Sequence, residues 1–562
     1  MTLGLSLFAA GCILCALGGS PRANRLLVQS ACLTRLRKTC ASFLERYEWV
    51  CFTLLLFVGA TLRFSLLRQV PTGLSADEML IAVQGRALVQ TRTDMAGTHL
   101  PVFLPGYGAS TAMGPLLPLL TTLFTSILGL SFWGVRLPAL LIGMSSLVFG
   151  YLLAKKMGGR AMALCTLFVL TLSPWHIAAS RFLNVPLAAL TLLTVGCLML
   201  LSGRLLIAGV IFGLSMYLSD SFWLVSPLLI AGYSIYLGCK RKAKARRLVT
   251  SLSLYFLISL PAFLTIWLNL MGRPSISLLG LTIPALPVSP QVLHTIFQSG
   301  FSFNAIEDTF FALLEWLICA VKSDDFGGTN SYLLYNSGLI YLFSLPMLLT
   351  GLLGAFGHAH RQEAPFVLLI LLTCLCALPR LLCPTLSIEH LFILYLPVTL
   401  LVAFAICTLS RRMRLSILGF TALYIVSGSL MVSSYWNGSY AYDTESEFRT
   451  GFMEAARFAE STAPEQIVVT SRMYPCVDAQ RLGEAMTRFA FDLPASAPLG
   501  KEQAYCVTGL DETNREFDRN TVYIASQDDL DFFDWDLFDF DDFGLYTVLT
   551  PIASEESGGS PP

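Results

Sequence analysis

Apolar runs of roughly 17 residues recur along this chain between residues 3 and 431, and a run of that length crosses the hydrocarbon of a bilayer as a helix. Few other folds absorb such runs. The 562 residues are 55% hydrophobic and 13% charged, with a mean hydropathy of +0.66, and a soluble domain has too little interior to hide that much apolar surface. Inside hydrocarbon every backbone polar group needs an internal partner, so the runs are read as the helices of a multi-pass α-helical membrane protein.

The first run, 3–17, is short enough for a signal peptide, yet it lacks a basic leader and is followed instead by Arg22, Arg25, Arg35, Arg37, Lys38 and Arg46. That order favours a retained helix with its N-terminus outside. Further spans are expected over 50–67, 132–153, 161–175, 183–201, 205–219, 222–237, 251–270, 335–353, 366–382, 391–409 and 415–431. This makes twelve, with both chain ends outside. Lys155, Lys156 and Arg160, the cluster from Lys240 to Arg247, and Arg411, Arg412 and Arg414 fix the cytoplasmic turns. The segment 113–129 is apolar but broken by Pro115 and Pro118, and reads as an interfacial or re-entrant helix.

The tail from residue 433 carries 24 acidic and 8 basic side chains, so the membrane part holds the matching excess of positive charge. Helices over 450–459 and 477–491 and strands over 466–470, 521–525 and 545–549 predict a small α/β appendage. Its run DDLDFFDWDLFDFDDFG, 528–544, interleaves acids with aromatics. Three readings stand: rings packed on the bundle or membrane surface, calcium binding, or an acidic segment without order. Most of the 15 cysteines lie in apolar runs and read as small hydrophobes, while Cys476 and Cys506 are placed to form a disulfide in an oxidising compartment. No phosphate-binding glycine loop points to ATP hydrolysis, and no CxxC pair points to a metal.

Between the second and third runs lies a polar stretch, 71–118, with the adjacent acids Asp77 and Glu78 about ten residues past a span. A carboxylate at the edge of lipid is costly without a partner or a task. The two acids either face water and cap the helix beginning near Met79, or they perform acid–base chemistry. A second long loop, 271–332, carries Lys322, Asp324 and Asp325.

The segments SADEM (75–79), GTHLPVFLPGYG (97–108), GVRLPALLIG (134–143), SPWHIAASR (173–181) and GLSMYLSD (213–220) occur in that order. Together they make the chain resemble the bacterial phospholipid-carrier-dependent glycosyltransferases of the GT-C fold, a group that includes the aminoarabinose transferases of lipid A and, more distantly, the protein O-mannosyltransferases. The resemblance covers about 48–270 and implies a GT-C membrane bundle with an active site on the exoplasmic side of a bacterial inner membrane. It implies transfer of a sugar from a polyprenyl-phosphate donor to a lipid, glycan or protein acceptor. Asp77 matches the family's first-loop Asp, the candidate base for the acceptor hydroxyl, and Glu78 the second acid of the pair.

The departing phosphate needs positive charge, for which Arg181 and Lys322 are the candidates; His99, Asp94, Tyr217 and Asp220 are candidate sugar or donor contacts. A divalent metal stays open. Two departures stand out: Asn184 lies where relatives carry an acid, and SIEHLF, with Glu389 and His390, replaces an Asn-Arg pair. The expected organisation is an extra helix and basic loop (1–47), a catalytic module (48–270) with its first loop at 68–131, a second loop (271–332), late spans (333–432) and an acidic domain (433–562). A transporter or flippase of lipid-linked sugars and a noncatalytic assembly scaffold are the competing readings.

Overall fold

The computed structural model describes residues 2–19, 46–105, 112–219, 221–285, 317, 338–382, 392–412, 415–438, 440–470, 479–508 and 520–552. The bundle is built from α1 (Thr2–Gly19), α2 (Glu48–Phe64), α3 (Ala76–Gln90), α4 (Leu116–Leu128), α5 (Phe132–Leu172), α6 (Pro174–Ala179) and α7 (Val185–Leu201). It continues through α8 (Leu205–Ser215), α9 (Ser221–Cys239), α10 (Ala245–Leu270), α11 (Leu345–His360), α12 (Ala364–Leu382), α13 (Tyr395–Arg412) and α14 (Leu415–Asn437). A helix overlaps each of the twelve expected stretches, and six helical stretches among the described residues are long and apolar enough to cross a membrane.

The expected turn at Lys155 to Arg160 is an elbow inside α5 rather than a loop. Gly158 and Gly159 leave helical geometry there, and Gly159 at φ +79° holds a conformation that side chains resist. The elbow is pinned by Glu48 at the start of α2, whose carboxylate binds Lys155 Nζ at 2.6 Å and Arg160 Nε at 2.9 Å. Helix α13 is buried on almost every side and packs on α5 and α11, which makes it the axis of the largest core cluster.

Helix α4 agrees with the interfacial reading in its surface. Leu117, Pro118, Thr121, Thr122 and Thr125 are buried, while Leu119, Leu120, Leu123 and Ile127 form an uncovered apolar stripe. It meets α3 at Gly85, where an added Cβ would lie 2.2 Å from the Pro118 carbonyl oxygen. Gly85→Ala is therefore expected to destabilise by about 1–3 kcal/mol, because backbone must move. Gly357→Ala, with nothing within 4 Å of the new methyl, is expected to leave the melting temperature unchanged or raise it slightly. Thermal unfolding of the two variants side by side checks this.

The tail folds as α15 (Tyr440–Asp443), α16 (Phe452–Ser461) and α17 (Ala479–Ala490) with a five-stranded sheet. Short strands β1 (Leu104–Pro105), β2 (Ala112–Met113), β3 (Ile276–Leu278) and β4 (Leu281–Ile283) precede it in the chain. The sheet comprises β5 (Gln466–Thr470), β6 (Tyr505–Thr508), β7 (Thr521–Ser526), β8 (Phe538–Asp542) and β9 (Tyr546–Pro551), in the order β6-β5-β7-β9-β8. Strands β6, β5 and β7 are parallel, and β9 and β8 add on antiparallel.

Alternation along the strands divides the tail into two cores. Ile467, Val469, Val507, Ile524 and Val548 join α16, α17 and α3 in one cluster, so the sheet's main core is shared with a bundle helix. The opposite face, Val468, Cys506, Tyr523, Ala525 and Leu549, is covered by Phe533 and Phe538. The acidic aromatic run thus lays Phe533 and Phe538 on its own sheet, while Trp535 and Leu537 stay exposed. Its alternating acids Asp539 and Asp541 flank Phe540 and stay partly or fully exposed. Cys476 lies outside the described residues, and Cys506 is buried in β6.

Candidate active site

Ser75 opens α3 as a capping box. Its Oγ accepts the Glu78 N–H at 3.2 Å, and Glu78 Oε2 accepts the Ser75 N–H at 3.0 Å. The reciprocal pair turns Glu78 inward, where it is fully buried. Arg136, from the first turns of α5, faces it with Nε 3.0 Å from Oε1, while Nη2 donates to Oε2 at 3.0 Å and to the Gly73 carbonyl at 2.9 Å. The Leu183 N–H donates to Oε1 at 2.8 Å. Burial pushes the Glu78 carboxyl above its ordinary range, and the Arg136 charge with the Leu183 and Ser75 donors opposes that push.

Every oxygen of Glu78 is thus occupied by the fold. In this arrangement it locks α3, α5, the 70–74 turn and the 182–184 loop together. Phe132 and Phe448 close over the Arg136 guanidinium at 5.3 and 5.5 Å, so the start of the tail seals the pair from outside.

Asp77 precedes Glu78 by one residue, or about 100° of helical rotation, and that difference takes it out of the interior. Its side chain is exposed, in the first turn of α3. Glu78 is therefore buried, and its neighbour Asp77 is exposed.

Arg181 lies close by in the same packed region. Its guanidinium is fully buried and donates to the carbonyls of Val70 (3.1 and 2.7 Å), Leu62 (3.0 Å) and Arg63 (3.0 Å), with the Tyr435 ring beneath it at 5.5 Å. These bonds close the end of α2. Asp94 forms a turn, its Oδ1 accepting the N–H groups of Ala96 and Thr98 at 2.9 and 2.7 Å. Tyr217 donates to the Ile258 carbonyl at 2.7 Å and stacks on Phe103. His99 is exposed, and its backbone carbonyl accepts from Thr282 Oγ1 at 2.6 Å. Asn184 caps α7, accepting the Leu187 N–H at 2.9 Å. Lys322, Asp220, Glu389 and His390 lie outside the described residues.

Sequence reasoning singled out none of Arg136, Arg63 and His176. Arg63 and His176 are fully buried, with Arg63 Nη2 2.7 Å from His176 Nδ1. A guanidinium only donates, so Nδ1 is the acceptor and the ring is neutral, with its proton on Nε2 toward Ser146 Oγ. The Ser146 hydroxyl in turn donates a hydrogen bond to the Gly143 carbonyl at 2.7 Å. The network holds the 173–184 segment whose Leu183 N–H reaches Glu78. A lone arginine in an otherwise apolar helix is the signal that marks such residues.

Arg86 lies on α3 in ion-pair contact with Asp492 of the tail, both partly solvent-exposed. Arg86→Ala is expected to lower stability by under about 1 kcal/mol, read by thermal unfolding. Among the described residues no three His, Cys, Asp or Glu side chains gather to hold a metal ion.

A family model described as dolichyl-phosphate-mannose-protein mannosyltransferase matches residues 112–267. None of the curated proteins matches the chain. Among solved structures, ArnT from Cupriavidus metallidurans bound to undecaprenyl phosphate is similar at 13% identity and a TM-score of 0.58, over 90% of this chain and 99% of that one. The apo state of ArnT from the same organism is similar at 12% identity and a TM-score of 0.53, over 91% and 98%. With its long apolar helices and C-terminal sheet, the chain is a multi-pass α-helical membrane protein of the GT-C fold.

Proposed function

We propose that this protein is a glycosyltransferase that moves a sugar from a polyprenyl-phosphate-linked donor to a glycan, lipid or protein acceptor at the outer face of a bacterial inner membrane. The observation that carries the reading is Asp77: an exposed carboxylate at a helix start, mounted on the buried Glu78–Arg136 pair. Its setting is a fold shared with ArnT in its undecaprenyl phosphate complex. In the reaction the acceptor hydroxyl oxygen attacks the anomeric carbon as Asp77 takes its proton, and the bond from that carbon to the phosphate oxygen breaks on the opposite face, with inversion. A polyprenyl phosphate leaves. Arg181 and Lys322 are the cations proposed to hold that phosphate.

Mass spectrometry of polyprenyl-linked sugars and surface glycans tests this in a deletion strain, its wild-type complement and an Asp77→Asn complement expressed to the same level. Accumulated donor with loss of one glycan substituent is expected in both the deletion and the variant. Normal glycans in the Asp77→Asn strain beside a defective deletion would move the protein to transport or scaffolding.

A further inference from the structure

At the far end of the bundle from α3, a cavity of about 370 Å³ opens between the α5 elbow, the α7–α8 and α9–α10 turns and the start of α12. Lys156, Lys242, Lys244 and Arg247 line it, above an apolar wall that includes Leu205 and Leu237. Among the described residues no carboxylate lies within ion-pair distance of these four cations. The nearby acids are engaged elsewhere, Glu48 with Lys155 and Arg160 and Glu363 with His358. Helix α10 also begins at this cavity, with Lys244 as its N-cap, no side-chain cap and no acid in its first turn. Its first N–H groups add to the positive field.

The frame is built rather than incidental. Lys242 Nζ donates to Tyr236 Oη at 2.6 Å and to the Gln362 carbonyl at 3.1 Å, and Tyr236 Oη donates to the same carbonyl at 2.9 Å. These bonds tie the α9–α10 turn to the α11–α12 turn across the cavity. Twenty residues of α5 separate Arg136 from Lys156, a rise of about 30 Å, which is the hydrocarbon thickness of a bilayer. The cavity therefore stands at headgroup depth in the leaflet opposite the one Asp77 adjoins.

We propose that this cavity is a binding site for the phosphate headgroup of an anionic membrane glycerophospholipid, distinct from the donor site. Four cations and a helix N-terminus receive the phosphate, and the leucine wall accepts the glycerol and the first acyl carbons, which a soluble phosphate would leave uncovered. The assignment is independent of the proposed transfer reaction.

Native mass spectrometry of the full chain in detergent, titrated with dioctanoyl phosphatidylglycerol, is expected to show one saturable site. Lys244→Gln/Arg247→Gln should weaken it on the order of tenfold. Lys240→Gln/Arg241→Gln removes the same charge beside the cavity, at exposed positions, and should change affinity by no more than about twofold. All four substitutions are on exposed side chains, so folding is retained and is checked by thermal unfolding. Equal weakening in the two double variants overturns the proposal, as does equal uptake of dioctanoyl phosphatidylcholine. Competition by inorganic phosphate at the same concentration as the lipid also overturns it, and assigns the cavity to soluble phosphate.

Discussion

Purified Asp77→Asn protein is expected to lose sugar transfer by about 10²–10⁴-fold in kcat, with donor KM little changed. The amide keeps the size and hydrogen-bonding reach of the carboxylate but does not take the acceptor's proton. Because Asp77 is exposed, the substitution should shift stability by no more than about 0.5–1 kcal/mol, the worth of a carboxylate at a helix start. Single-turnover transfer from a polyprenyl-phosphate sugar, measured beside a thermal melt, separates the two effects. Wild-type turnover in the variant would remove Asp77 from the chemistry.

Arg136→Met is expected to behave in the opposite way. It leaves Glu78 buried with no compensating charge, at a cost of about 3–5 kcal/mol, so the protein should melt early and be cut readily by protease. Adding Glu78→Gln removes the stranded charge, and the double variant should recover a large part of the loss. A double-mutant cycle on melting in detergent checks the coupling. Additive effects of the two substitutions would show that Glu78 and Arg136 do not act as a unit.

Sequence patterns located the helices well because length and apolarity are nearly sufficient in a bilayer, and α5 alone needed its glycines to be read as one bent element. They located the acidic pair but not the division of labour within it. The signal was present: Ser75 and Glu78 stand at capping-box spacing, which turns the glutamate back on its own helix end and leaves Asp77 outside. The surroundings of Arg181 were not legible for a physical reason. A guanidinium beside a span end suits a phosphate and a set of orphaned carbonyls equally, and only the packing of α2 against the 180–184 loop decides. In the tail, β8 was missed although FDFDD alternates in the manner of a strand, since its acids disguised a half-buried face.

The sharing of one core between α3 and the C-terminal sheet has a consequence in time. Helix α3 leaves the ribosome early, while the strands that cover it end at Pro551, more than 400 residues later. At about 5–20 residues per second, tens of seconds pass in which that face of α3 has no permanent cover. The platform under Asp77 is completed last, and a nascent chain halted before the tail holds its carboxylate on an unfinished mount. Until the sheet has been made, α3 cannot complete the core it shares with it.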